Sequence, residues 1–273
     1  MGTGVRQNTQ WMPPFAEIDV AQGLFETLRV AGGEPVELDA HLERIGASCE
    51  ELLEAPLPPR TGELVRERAA GIPLGRLRLT VTASPSGPRA EATVAAVDPD
   101  LVFPSPEHGA AALRTLRLAG GLGAHKWVDR TALAGFQEPE VALLVDADGS
   151  VLEASRANVF AVRDGQLLTP PTDGRILPGT ARGALFEVAV EAGIEVGEQR
   201  LALDDLRTAD EVFLTGSVRG LQRAGSLDGE PLPPAGEISR RLAAGLKRRW
   251  RLADAAAIAP VPAAGPPPGP RAR

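Results

Sequence analysis

A chain of 273 residues with 43% hydrophobic and 24% charged side chains can hold one large domain or two modest ones around ordinary cores. Its net charge of −7 argues against general nucleic-acid binding, and no apolar run approaches the ~20 residues of a membrane span. The opening "MGTGVRQNTQWMPPF" lacks the apolar core of a signal peptide, so a cytoplasmic location is expected, with neither nucleic acid nor membrane as partner. The single cysteine, Cys49, rules out an intrachain disulfide and a thiolate cluster, and a buried, inert thiol is expected. His41, His108 and His125 are scattered without ligand spacing, so no metal site is expected.

Residues 1–14 read as a loose N-terminal arm. "GLFETLRV" then alternates as a strand, "AGG" turns the chain and "EPVEL" returns, which predicts a hairpin. A helix is expected from Asp39, a candidate N-cap, with Leu42, Ile45, Cys49, Leu52 and Leu53 on one face. A second helix, "TGELVRERAAG", leads to the strand "GRLRLTVTAS" and an antiparallel partner, "EATVAAVDP". These elements make a small α+β domain over residues 15–103, with a Pro-rich linker at 104–112.

A larger, β-rich domain with helices is expected over residues 113–252. It opens with "LRTLRLA" and a Lys126 segment expected to continue as a helix. "VALLVDADGSVLEAS" and "NVFAVRDGQLLTP" each read as strand, Asp-Gly turn, strand, and two such hairpins predict an antiparallel sheet or barrel. "GTARGALFEVAVEAG" is an amphipathic helix stopped by Gly193, and "EVFLTGSVRGLQRAG" is a strand with a Gly-Ser turn. The basic run from Lys247 to Arg251 ends another helical pattern, where cations complement the helix dipole. Residues 253–273 are Pro/Ala-rich, and a disordered tail is expected there.

The chain has 27 arginines and two lysines, Lys126 and Lys247. Where a plain positive charge suffices, arginine is used. A retained lysine directs attention to chemistry that arginine cannot perform, since a lysine amine can shed its proton and attack a carbonyl.

Lys126 stands among "HLER", "EASRANVF", "LPGTARGAL" and "FLTGSVRG". In that order, and with "GLFETLRV" ahead of them, these segments resemble the fold-type IV pyridoxal-phosphate enzymes, the class IV aminotransferase family, from about Gly23 to about Arg223. The resemblance implies a two-domain α+β fold like that of D-amino-acid aminotransferases, pyridoxal 5′-phosphate as cofactor, a small amine as substrate and a homodimer. It implies that Lys126 holds the cofactor as a Schiff base and later moves protons, and that Glu153 faces the pyridine nitrogen. Arg44, the backbone N–H groups of Thr180 and Ala181, and Ser217 match the phosphate-binding positions. Many relatives carry a hydroxyl residue where Ala181 stands. Asn158 lies in the same motif as Glu153 and is expected to hold a local turn.

Transaminases of the family commonly have a tyrosine shortly after the lysine, and this chain has no tyrosine; Arg130 and Thr131 occupy that neighbourhood. "KWVDR" and "FLTGSVRG" look like aminodeoxychorismate lyases. That likeness implies removal of the C4 proton of 4-amino-4-deoxychorismate by Lys126, then departure of the enolpyruvyl group as pyruvate, leaving 4-aminobenzoate, a folate precursor. Thr27 or Lys126 is a candidate proton donor to the leaving group, and Arg78, Arg156 and Arg219 are candidates for the substrate carboxylates. The rivals are a branched-chain or D-amino acid transaminase and a non-catalytic homologue of the same fold.

Overall fold

The computed structural model describes residues 18–136 and 140–252, so the expected arm at 1–14 and tail at 253–273 lie outside the described residues. The architecture is a two-domain α+β one, with two sheets. In the smaller sheet, β1 (Leu24–Ala31) and β2 (Glu34–Pro35) form the expected hairpin. Both glycines of its two-residue turn, Gly32 and Gly33, have φ values of 59° and 86°, the left-handed conformations such a turn requires. After α1 (Leu38–Leu53) and α2 (Thr61–Ala69), β3 (Leu74–Thr82) and β4 (Arg89–Ala96) complete an antiparallel sheet in the order β2-β1-β3-β4.

Strand alternation sorts this sheet into two faces. Leu24, Leu28, Val30, Leu77, Leu79 and Val81 pack against Ile45, Cys49, Val65 and Ala69 of the helices. Burial pushes the Cys49 thiol up to about 11, in keeping with an inert thiol. Phe25, Thr27 and Arg29, with Arg76 and Arg78 opposite, belong to the other face, away from the helices.

Helix α1 starts differently from expectation. The N-cap is Glu37, at φ 52° and without a side-chain cap, and Asp39 lies in the first turn. The Glu37 carboxylate instead accepts hydrogen bonds from Arg249 Nε at 2.7 Å and Trp250 Nε1 at 3.1 Å, so a tertiary contact has displaced the local cap.

The larger sheet comprises β5 (Ala111–Arg117), β6 (Glu140–Val145), β7 (Val151–Ala154), β8 (Asn158–Arg163), β9 (Gln166–Thr169), β10 (Val196–Glu198), β11 (Glu211–Gly216), β12 (Gly220–Leu227) and β13 (Glu230–Pro231). Three helices accompany it: α3 (Thr180–Glu191), α4 (Leu203–Arg207) and α5 (Glu237–Arg249). Strand order is β10-β9-β8-β11-β12-β5-β6-β7, with β13 beside β12. Both Asp-Gly hairpins form, but the sheet is mixed, not antiparallel: β5 pairs parallel with β6 and with β12, and β9 with β10. Parallel pairing needs a long crossover, and the Lys126 segment supplies it between β5 and β6. The sheet curls until Ala154 bridges Ala157, bringing β7 beside β8. Val159, Ala161 and Leu214 fill the inside of the curl, while Phe160, Val162 and Phe213 pack outward against α3 and α5.

The helix expected after Lys126 is also absent; among the described residues of that segment only a 3-10 turn, Thr131–Leu133, forms. Gly120, Gly121 and Gly123 take positive φ. The backbone is then pinned to β1, where Phe25 N–H donates to the Lys126 carbonyl at 2.9 Å and Val128 N–H to the Gly23 carbonyl at 3.0 Å. Hydrogen bonds to a strand of the other domain replace the i→i−4 bonds a helix would need. A second joint lies at Arg29, fully buried, whose Nε donates to the Val218 carbonyl at 2.9 Å while the guanidinium lies 5.1 Å from the Phe103 ring and 4.8 Å from that of Trp250.

Candidate active site

Lys126 is fixed where the two sheets meet. Burial pulls its amine down to about 8, with Glu26 and Glu153 opposing the shift and Arg44 and Arg130 adding to it. Near neutral pH a usable fraction of the amine is therefore unprotonated. Its Nζ lies 5.2 Å from the centre of the Phe25 ring.

Glu153, on β7, is buried and accepts one hydrogen bond, from the Leu177 N–H at 3.3 Å. Burial pushes its carboxyl up to about 8, against that bond and the charges of Arg130, Lys126 and Arg44. A buried carboxyl with so few donors suits a protonated ring nitrogen as partner.

The other end of the site is densely paired. Arg44, on α1, places Nε and Nη2 on the two Glu26 oxygens, both at 2.7 Å, and Nη1 on the Pro178 carbonyl at 2.7 Å. His41 Nδ1 bonds the same carboxylate at 2.8 Å, and its Nε2 lies 3.1 Å from the Thr180 hydroxyl, itself 3.0 Å from the Ser217 hydroxyl. Burial works to raise Glu26, but the Arg44 charge, the His41 and Arg44 hydrogen bonds and Lys126 outweigh it and hold the carboxyl far below the usual range. Arg44, expected to fork onto phosphate, thus has its fork on Glu26, leaving one N–H on each terminal nitrogen for an anion.

Helix α3 begins beside this network. Its N-cap, Gly179, has no side chain to satisfy the first N–H groups, which leaves those of Thr180 and Ala181 for an anion. The Ala181 methyl is buried in the core under α3, so at this position only the backbone faces the site. Asn158 Nδ2 donates to the Leu177 carbonyl at 3.0 Å, and a side chain at 179 would strike the Asn158 amide. Asn158 therefore holds the turn, as expected, and glycine at 179 permits the close approach.

Around the Phe25 ring the chain gathers cations. Arg78 lies 3.8 Å from the ring centre and Arg130 at 6.0 Å. Burial lowers the pKa of both, and the charges of Arg156 and Arg78 act on Arg130 in the same direction. Arg130 also donates to the Ser155 carbonyl. Asp129, the acid of "KWVDR", turns away from this cluster and accepts from the Thr131 N–H and hydroxyl and from the Asp19 N–H. Thr27 stands opposite Arg78 on the Phe25 face of β1. Arg219 occupies the turn after Ser217, where its carbonyl accepts the Phe103 N–H at 2.8 Å.

Sequence reasoning passed over Glu26, His41, Phe25 and the place of Arg130 in the site. One signal was available for Glu26: it is the acid on the face of β1 whose other members are Leu24, Leu28 and Val30, so it had to meet a cation from the helix above.

A lysine, a buried acid and a hydroxyl-lined helix start thus converge from four separate segments. Residues 23–227 match the model of the family described as amino-transferase class IV. The chain belongs to the class IV aminotransferase family. A bifunctional aminodeoxychorismate lyase / D-amino acid transaminase of Mycobacterium tuberculosis is 32% identical over 254 residues, covering 81% of this chain and 87% of that protein. A putative branched-chain-amino-acid aminotransferase of Methanocaldococcus jannaschii is 39% identical over 111 residues, 40% of this chain and only 38% of that protein. The pyridoxal-phosphate-bound structure of a hypothetical aminotransferase from M. tuberculosis superposes with a TM-score of 0.71 at 27% identity, covering 88% of this chain and 94% of that one. Pyridoxal 5′-phosphate is accordingly the cofactor, and the donor set fits it: a depressed lysine amine, an under-partnered buried carboxyl and an uncapped helix start with two hydroxyls. Relatives and structural neighbours bear both lyase and aminotransferase names.

Proposed function

We infer that the protein is a 4-amino-4-deoxychorismate lyase, releasing pyruvate and forming 4-aminobenzoate. The observation that carries this reading is the gathering of Arg78 and Arg130 around Phe25, next to Lys126, with the charge of Arg156 acting on Arg130. Such a charge density suits a substrate with two carboxylates and opposes the apolar side chain of a branched-chain amino acid. Likeness over most of the chain to a relative bearing the lyase name adds support.

When bound, pyridoxal 5′-phosphate supplies an aldehyde that condenses with amines and a ring that accepts electrons from a breaking C–H bond. The protein supplies the rest. Lys126, unprotonated in part near neutral pH, is the base for the C4 proton. Glu153 holds a proton at the pyridine nitrogen. Arg78, Arg130 and Arg156 orient the carboxylates, and Thr27 or Lys126 returns a proton to the departing enolpyruvyl oxygen.

Purified protein given aminodeoxychorismate should release pyruvate with no added keto acid. A strict requirement for 2-oxoglutarate or pyruvate would overturn the lyase reading in favour of a transaminase. The same M. tuberculosis relative carries both names, so a D-amino acid transaminase is the second reading, tested by adding D-alanine and 2-oxoglutarate to the same preparation.

A further inference from the structure

The hydrogen-bond chain from Glu26 to Ser217 has a direction. Glu26 is a carboxylate receiving both Arg44 donors, so the His41 Nδ1 beside it must carry a hydrogen. In neutral His41 the other nitrogen, Nε2, is then an acceptor, and among the described residues the donor it meets is the Thr180 hydroxyl at 3.1 Å. With its one proton so used, Thr180 can only accept from Ser217 at 3.0 Å. Both hydroxyl protons point inward along the chain, and both oxygens turn lone pairs toward the start of α3. A phosphate dianion, which offers acceptors only, meets the wrong end of each hydroxyl. The charge balance is equally unfavourable, because the Arg44 cation is offset by the Glu26 carboxylate.

We propose that His41 is a positioning residue that takes up a proton at Nε2 when the cofactor phosphate binds. Protonated, Nε2 donates to the Thr180 oxygen. Thr180 and Ser217 are then free to turn both their protons toward the phosphate, and the network gains one positive charge beside the anion. One proton added at Nε2 reverses two hydroxyl groups: the Thr180–Ser217 hydrogen bond is given up for one from each hydroxyl to the phosphate, and the new N–H is the only covalent change. The charged groups acting on His41 are Glu26 on β1, Arg44 on its own helix and Lys126 on the crossover segment, while α3 and the β11–β12 turn, which also carries Arg219, bring the two hydroxyls. In the free protein burial keeps the imidazole below its ordinary range, with Glu26 opposing. The inference rests on the cofactor reading, with the phosphate at Thr180 and Ser217.

A complex that binds an extra proton is favoured at low pH, so phosphate affinity should fall as pH rises from the titration of free His41 to that of complexed His41, and level off above it. The slope for one proton approaches about tenfold per pH unit. The test uses 4′-deoxypyridoxine 5′-phosphate, which cannot condense with Lys126, beside the same compound without its phosphate. Nitrogen-15 NMR of the three histidines, assigned with His108→Gln and His125→Gln variants, reads the His41 ring directly. At a pH where Nε2 is bare in the free protein, both His41 nitrogens should carry hydrogen with the phosphorylated ligand, and Nε2 should stay bare with the other. Calorimetry in buffers of different ionisation heat should find about one proton more taken up with the phosphate present. His41→Gln, whose amide can donate to Thr180 without titrating, should lose about one proton's worth of the pH slope seen with the phosphorylated ligand. An Nε2 that stays bare in the phosphorylated complex, or an unchanged slope in His41→Gln, overturns the proposal. Borohydride trapping with pyridoxal phosphate separates the two levels: an adduct on Lys126 with neutral His41 sinks this inference alone, and no adduct there sinks the cofactor reading with it.

Discussion

Glu26 and Glu153 are both buried glutamates within the electrostatic reach of Lys126 and Arg44, and they behave in opposite ways. Glu26 meets three side-chain donors and stays ionised; Glu153 meets one backbone N–H and is pushed up to about 8. Depth is the same, so partners decide. The end of the site around Glu26 is a finished network that holds shape, and the end around Glu153 and Lys126 is left short of partners, as suits groups that exchange protons.

At the reactive end, Lys126→Ala should lower turnover by about 10⁴-fold and abolish the borohydride-trapped adduct, since base and attachment point go together. Surviving turnover at more than a hundredth of the parent would move the chemistry elsewhere.

Glu153→Gln should lower turnover by about 10²- to 10³-fold while making the cofactor-free protein more stable in alkali. The sign follows from proton counting: with a folded pKa of about 8, above its unfolded value, Glu153 holds a proton in the native state that the unfolded chain has lost. It therefore erodes stability as pH rises from the ordinary glutamate range through 8. Urea titrations at pH 5 and pH 9 should show a smaller loss in the variant than in the parent.

At the paired end the effect should fall on folding. Glu26→Gln leaves Arg44 without its counter-ion and the His41 Nδ1–H without its charged acceptor, at a cost of about 3–5 kcal/mol in urea unfolding. A change under 1 kcal/mol would mean that the network is not holding the domain. Arg130→Met should raise KM for a dianionic substrate by about tenfold to a hundredfold with a much smaller change in kcat, as expected for lost charged hydrogen bonds. Phe25→Leu, which removes the ring beneath the cations, should have the smallest effect, a KM rise of about three- to tenfold.

What the sequence made legible were features with a local signature. The Gly-Gly hairpin, both Asp-Gly hairpins and the Gly193 helix stop depend on neighbours in the chain, and each was found where the residues placed it. Lys126 and Glu153 stood out through composition and motif. Three features were hidden because distant residues determine them: Glu37 left its cap for Arg249 and Trp250, β5 paired parallel with β6 and β12, and the Lys126 segment gave up a helix for the backbone of β1. The Glu26–His41 pair was hidden for a further reason. A histidine in a helix says nothing of itself until the strand opposite it is known.

Arg29 sets a limit on how the molecule can move. Swinging the two sheets apart would pull its guanidinium from the Val218 carbonyl and from both aromatic rings, exposing Trp250 to water. With Trp11 and Trp127 replaced by Phe, the remaining indole is a built-in optical gauge: steady emission while ligand enters means that the halves stay locked and the entrance lies elsewhere. A red shift would reveal a breathing joint.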